Sequence, residues 1–76
     1  MHKIIVYSVP TCSHCIQLKA YLKEQGVDFT NFDVSSDKSS LGKMVSLSGQ
    51  MGVPVIDIDG QIVVGFDKDK IEELLA

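Results

Sequence analysis

The chain has 76 residues, a formal net charge of −3 and 45% hydrophobic residues. A chain this short cannot divide its apolar side chains between two cores, so we expect one domain over residues 1–76. The acidic balance and the lack of arginine exclude the basic surface that a nucleic-acid-binding protein needs. No apolar run reaches the roughly 18–20 residues of a membrane span. The short apolar run after Met1 is no signal-peptide core. A cytoplasmic protein without membrane or nucleic-acid partners is therefore expected.

The first half of the chain predicts two strands joined by a helix. Residues 4–7 are β-branched and aromatic, as is typical of a buried strand. Apolar residues then recur at helical spacing between residues 13 and 25, and Gly26 can close that helix. Residues 29–34 predict a second strand. A connection through one helix favours a right-handed parallel βαβ unit.

The second half predicts a helix, a hairpin and a final helix. Ser35, Ser36 and Asp37 can start the first of these helices, and residues 48–52 form the loop that follows it. Two strands, over 55–58 and 61–64, flank Asp59-Gly60, which is typical of a tight type I′ turn. Asp67 can cap the last helix. The predicted fold is α/β, with order β-α-β-α-β-β-α and helices on both faces of a four-stranded mixed sheet.

Both cysteines lie in the segment Thr11-Cys12-Ser13-His14-Cys15, between the first strand and the first helix. A Cys-x-x-Cys pair in that position is typical of a redox-active disulfide. Cys12 stands at the helix start, where free backbone N–H groups stabilise a thiolate. Cys15 comes one turn later on the core-facing side, near enough to form a disulfide. We therefore predict a disulfide oxidoreductase in which Cys12 is the nucleophile and Cys15 the resolving thiol.

His14, between the two cysteines, has two interpretations. A protonated imidazole would place positive charge beside Cys12 and favour its thiolate. Alternatively, His14 is a solvated side chain at a permissive position. The Cys-x-x-Cys spacing leaves the direction of this side chain open, so both interpretations stand.

Other polar side chains predict no second site. Lys19, Lys23 and Glu24 are expected to form a solvated helix face. A zinc site needs four ligands, and only His2 and His14 are available beside the cysteines. No metal site is therefore predicted.

Three landmarks in chain order make the sequence resemble the glutaredoxin family and the similar redoxins that reduce class Ib ribonucleotide reductase. They are Tyr7 through Cys15, Ser48 through Pro54, and Gly65-Phe66-Asp67. The resemblance implies a thioredoxin fold with strand order 2-1-3-4. It also implies a cis Val53-Pro54 bond facing Cys12, with the Val53 backbone pairing with substrate as an added strand. Gly65, Phe66 and Asp67 would complete the substrate- or glutathione-binding surface.

The resemblance also implies the reaction partners. Substrates would be disulfide-containing proteins or glutathione mixed disulfides, reduced to maintain cell redox homeostasis. Electrons would come from glutathione and its reductase or from thioredoxin reductase, with no tightly bound cofactor and a monomeric chain. Asp67 matches the family's contact to the γ-glutamyl group, whereas Val9 and Met51 stand near positions where the family has basic residues. The alternative function is iron–sulfur carriage between two subunits with glutathione, because Ser13 follows Cys12 as in cluster-binding members.

Overall fold

A computed structural model describes residues 3–76 of the chain as one mixed sheet with helices on both faces. The strands are β1 (Ile4–Ser8), β2 (Thr30–Asp33), β3 (Val55–Ile58) and β4 (Gln61–Val64), and the helices are α1 (Ser13–Glu24), α2 (Lys38–Ser48) and α3 (Lys68–Leu75). The strand order is β2-β1-β3-β4, with β1 parallel to β2 and the other pairs antiparallel. This confirms the predicted thioredoxin-like α/β fold.

Each face of the sheet has its own hydrophobic cluster, because alternate strand residues point to opposite faces. One cluster joins Ile4 and Val6 of β1 to Leu22 of α1 and Ile71 of α3. On the other face, Tyr7 packs in a cluster that includes only α2 among the helices. Helices α1 and α3 therefore share one face of the sheet. A short turn joins the end of β1 to the start of α1.

The ends of the helices follow from local residues. Gly26, with φ of 71°, ends α1 in a Schellman motif, since Gly26 N–H donates to Lys23 O and Val27 N–H to Leu22 O. Helix α1 is one residue shorter than predicted, because Gln25 is its C-cap residue and lies outside the helix. Asp37 caps α2 through Ser39 and Ser40, and Ser48, which we assigned to the loop, is the last residue of α2.

The turn between β3 and β4 has the predicted geometry. Asp59 has φ of 53° and Gly60 has φ of 90°, as a type I′ turn requires. Gly60 N–H also donates to Asp57 Oδ1 at 2.8 Å, which fixes the register of the hairpin. None of the helices in residues 3–76 has the length and apolar character needed to cross a bilayer.

Candidate active site

The candidate site lies at the end of the sheet where β1 ends and β3 begins. Cys12 N–H donates to Val9 O at 3.3 Å, so the turn before α1 stays against the end of β1. Val9 and Val53 pack on the same hydrophobic cluster. Gly65 N–H, just after β4, donates to Pro54 O at 2.8 Å. The start of α1, the Val53-Pro54 loop and the turn after β4 therefore lie at this one end.

Cys12 is the N-cap residue of α1. Its backbone is extended, with φ of −87° and ψ of 115°, and its carbonyl accepts the first helical hydrogen bond from Ile16 N–H at 3.1 Å. Its Sγ accepts a hydrogen bond from Cys15 N–H at 3.2 Å. The Cys12 sulfur therefore has a backbone N–H donor and the N-terminal end of α1 beside it. Cys12 is half-buried as a residue.

Cys15 lies one turn further along α1 and is completely buried. Burial raises the pKa of the Cys15 thiol to about 11, and the hydrogen bond with Cys12 adds to this rise. A backbone hydrogen bond from Val9 and the positive charge of Lys19 act in the opposite direction. Both cysteines are free thiols here. The two cysteines thus differ in exposure, although they are three residues apart.

The polar residues near this cysteine pair differ in how exposed they are. His14 is exposed and is not among the groups that act on the Cys15 thiol. Lys23 and Glu24 are exposed, as predicted. Lys19 is half-buried instead, so our assignment of Lys19 to a solvated face was wrong. Its position four residues after Cys15 is the sequence signal that could have found it, because residues at that spacing are neighbours on a helix.

The Val53-Pro54 bond is cis, as the family resemblance implied. Pro54 is buried and Val53 is half-buried at the rim of the site. Gly65 has φ of 79°, a conformation that suits glycine. Asp67 is exposed, and its Oδ1 accepts a hydrogen bond from Lys70 N–H at 3.2 Å, so it is the N-cap of α3.

An aromatic contact fixes the turn after β4 to the helix that carries the cysteines. Phe66 packs on Tyr21 of α1 with ring centroids 5.8 Å apart. Lys68 Nζ lies 5.6 Å from the centroid of the same Tyr21 ring, within cation–π distance. Phe66, just before the N-cap of α3, and Ile71 also belong to one hydrophobic cluster, which is the arrangement of a hydrophobic staple. Sequence reasoning missed Tyr21 and Lys68, whose meeting depends on how α1 and α3 pack.

The comparisons with known proteins agree with this geometry. The glutaredoxin family model matches residues 4–63. An uncharacterised glutaredoxin-like protein from the rubredoxin operon of Clostridium pasteurianum is 49% identical over 95% of this chain and 96% of its own length. The N-acetyl-S-hydroxy-L-cysteine reductase of Bacillus subtilis is 38% identical over 93% of this chain and 77% of its own. The crystal structure of a glutaredoxin from Archaeoglobus fulgidus has a TM-score of 0.89 and 31% identity, covering 99% of this chain and 87% of that one.

The chain belongs to the glutaredoxin family. In this glutaredoxin, the structure brings together the predicted residues Cys12, Cys15, Val53 and Pro54, and the segment from Gly65 to Asp67, at one end of the sheet. Within residues 3–76, no three His, Cys, Asp or Glu side chains lie close enough together to hold a metal ion. His2, named above as a possible ligand, lies outside the described residues.

Proposed function

We propose that this glutaredoxin is a dithiol–disulfide oxidoreductase in which Cys12 attacks a substrate disulfide and Cys15 resolves the product. The contrast between the two thiols carries the proposal. Cys12 is half-buried at the N-cap of α1, and its Sγ already accepts a hydrogen bond from Cys15 N–H at 3.2 Å. Cys15 is completely buried. An attacking thiol must be reachable by a large substrate, whereas a resolving thiol needs to reach only its neighbour.

The reaction consists of two thiol–disulfide exchanges. In the first, the Cys12 thiolate attacks one sulfur of the disulfide R–S–S–R′, a Cys12–S–S–R bond forms, and R′–S⁻ leaves and takes up a proton. In the second, Cys15 loses its proton, its sulfur attacks Cys12 Sγ, and R–S⁻ leaves. The substrate gains two electrons and the two cysteines become a disulfide. An external reductant must then return two electrons.

The substrate is proposed to lie along the Val53-Pro54 loop. The position of this loop supports the proposal. Gly65 N–H donates to Pro54 O at 2.8 Å, at the end of the sheet where α1 begins. An extended peptide beside Val53 can pair with the main chain as an added strand. Such pairing recognises backbone and not side chains, which suits an enzyme that acts on many disulfide-containing proteins.

The charges around the site bear on the choice of electron donor. Glutathione carries two carboxylates and one ammonium group. Asp67 is exposed and suits the ammonium group, but Met51, with 68% of its surface exposed, and Val9 offer no positive charge to the carboxylates. We therefore expect glutathione to be a weaker reductant of this chain than thioredoxin reductase.

A coupled assay tests the function and the donor together. NADPH consumption is followed with a small disulfide as substrate, in one cuvette with glutathione and glutathione reductase and in another with thioredoxin reductase. Consumption that depends on this chain is expected in at least one cuvette, and its absence from both would contradict the proposed function. Met51→Arg should lower the KM for glutathione by about two- to fivefold, the range of an exposed ion pair. Gln61→Arg, at the far end of β4, is the matched control.

One relative favours a second substrate class. The Bacillus subtilis relative is named as a reductase of N-acetyl-S-hydroxy-L-cysteine, a sulfenic acid. The Cys12 thiolate could attack such a sulfur and expel hydroxide, which leaves as water after protonation, and Cys15 could then release the free thiol. We propose this activity as the second candidate. Because free sulfenic acids are short-lived, the test supplies freshly generated S-hydroxy-N-acetylcysteine and measures the Cys12–Cys15 disulfide formed per equivalent by mass spectrometry. No disulfide above that of a thiol-only control would contradict it.

Iron–sulfur carriage remains the alternative function with less support. None of the relatives named above is described as a cluster carrier. Visible absorbance after anaerobic reconstitution with iron, sulfide and glutathione would detect a cluster.

A further inference from the structure

The turn after β4 contributes to the proposed substrate surface through the carboxylate of Asp67. This residue is exposed, and its Oδ1 accepts a hydrogen bond from Lys70 N–H at 3.2 Å. That bond fixes Asp67 to α3 alone. Exchange takes place at Cys12 on α1, so recognition of one substrate at both residues requires a contact that joins the two helices.

The ring of Tyr21 makes this contact. Its centroid lies 5.8 Å from the ring centroid of Phe66, the residue before Asp67, and 5.6 Å from Nζ of Lys68, the residue after it. Tyr21 belongs to α1, the helix that Cys12 caps, and it is nearly buried. One side chain of the helix that carries the cysteines therefore contacts both sequence neighbours of Asp67.

The same turn has a second attachment on its other side. Gly65 N–H donates to Pro54 O at 2.8 Å, which joins the start of the turn to the loop before β3. A single hydrogen bond fixes one point of the turn, and the contacts with Tyr21 fix the residues that follow. Within residues 3–76 the buried hydroxyl of Tyr21 has no hydrogen-bond partner, so the ring alone accounts for the attachment.

We propose that Tyr21 is a positioning residue that sets the place of the Asp67 carboxylate relative to Cys12, and so favours disulfides that carry an ammonium group, such as glutathione disulfide. This inference rests on the proposed function. Tyr21 touches no substrate and exchanges no proton. A carboxylate held at a constant place relative to the reacting sulfur binds the ammonium group with less loss of conformational entropy.

Two disulfides separate positioning from thiol chemistry. Glutathione disulfide carries two ammonium groups, and bis(2-hydroxyethyl) disulfide is neutral. With either reagent R–S–S–R, the Cys12 thiolate forms Cys12–S–S–R and releases R–S⁻, and Cys15 then releases the second R–S⁻ as the protein disulfide forms. Samples of the reduced chain are quenched with acid at set times and alkylated. Mass spectrometry then gives the second-order rate constant for each reagent.

Tyr21→Leu should lower the rate constant with glutathione disulfide by about two- to fivefold, the range of one exposed ion pair. The rate constant with the neutral disulfide should not change. Tyr21→Phe keeps the ring and should match the parent with both reagents. Phe29→Leu is the matched control and should also match the parent, because Phe29 packs on the same hydrophobic cluster but lies just before β2, at the opposite end of the sheet.

A double variant tests whether Tyr21 acts through Asp67. Asp67→Asn removes the charge but keeps an acceptor for Lys70 N–H, so the rate constant with glutathione disulfide should fall by a similar factor. Adding Tyr21→Leu should cause no further fall, since no carboxylate is left to position. A full further fall would overturn the role of Tyr21, and so would a rate constant that Asp67→Asn leaves unchanged.

The outcomes separate this inference from the function on which it rests. A parent chain whose Cys12 reacts with neither disulfide would overturn the proposed function. An unchanged rate constant with glutathione disulfide in Tyr21→Leu would overturn only the role of Tyr21. Equal slowing with both reagents would overturn it too, since that pattern indicates a damaged helix. If Tyr21→Leu does not fold, Tyr21→Met repeats the test, because the flexible methionine side chain fills irregular gaps in a core.

Discussion

All three helices begin at the end of the sheet where β1, β2 and β4 end, and the caps of α1 and α3 differ in the atom that accepts the hydrogen bond. Cys12 caps α1 and Asp67 caps α3, and each accepts a hydrogen bond from the N–H three residues later at 3.2 Å. A carboxylate is a strong acceptor that complements the helix dipole. A neutral thiol is a weak acceptor. The cap of α3 therefore contributes to stability, whereas the cap of α1 is the residue that we propose reacts with substrate.

This difference shows what must hold α1 in place. During exchange, Cys12 Sγ would bond in turn to a substrate sulfur and to Cys15, so its cap is not constant. The helix instead relies on packing, since Leu18 and Leu22 are completely buried and Tyr21 is nearly so. Most helical stability in proteins comes from such packing. A helix that is held by its buried side chains can stay in place while its cap residue changes bonding partners.

The sharpest test of this comparison is Cys12→Ser. Serine is a good N-cap, so α1 should remain and the free energy of unfolding should change little. Disulfide reduction should fall to the background rate, because the nucleophile is gone. Activity and thermal unfolding are measured on the same preparation. Asp67→Ser is the counterpart on α3 and should retain most of the activity. Reduction by Cys12→Ser at a rate near that of the parent would break the assignment of roles.

The second largest effect is expected for Cys15→Ser. Attack by Cys12 survives and resolution does not, so the variant should accumulate a mixed disulfide with its substrate. Intact mass spectrometry detects the adduct, and peptide mapping should place it on Cys12. Cys15→Ala controls for the buried hydroxyl group that serine introduces. An adduct found instead in Cys12→Ser would reverse the two roles.

Features set by neighbouring residues could be predicted from the sequence. The hairpin at residues 59–60 and the cap at Asp67 depend on a few adjacent side chains, and both are found where they were expected. The environment of His14 and Lys19 could not be predicted, because both flank the buried stripe of α1. Whether such a residue is covered depends on how the helix rotates against the sheet.

The cis Val53-Pro54 bond was predicted from the family resemblance and not from local sequence. Only about 5–6% of X–Pro bonds are cis in folded proteins, so local sequence alone does not indicate one. The resemblance to a family supplied the expectation. The two thiols of the site likewise followed from a motif and its place, but the completeness of Cys15 burial required the packing of α1 on the sheet.

Asp67→Ala tests the other side of the comparison. Removing this cap should lower the free energy of unfolding by about 1 kcal/mol, because Lys70 N–H loses its acceptor. Thiol chemistry with a neutral small disulfide should be unchanged, since Asp67 does not take part in it. Urea denaturation gives the stability, and Asp67→Asn, which can still accept a hydrogen bond, is the matched control. A loss in the alanine variant below about 0.3 kcal/mol would show that solvent replaces the cap.

The smallest effect is expected for His14→Tyr, and it decides what sets the redox poise of the pair. His14 is exposed, and an exposed charge is screened by water and salt. Its influence on Cys12 should therefore be that of a surface ion pair, below about 1 kcal/mol. For a two-electron couple this limits the change in reduction potential to about 20 mV. Equilibration in glutathione buffers, followed by alkylation and mass spectrometry, measures the potentials of both proteins. Gln17→Tyr, at another exposed position of α1, controls for the added ring. A change above about 20 mV confined to His14→Tyr would mean that the imidazole reaches the sulfur in solution, and that the helix terminus does not set the potential alone.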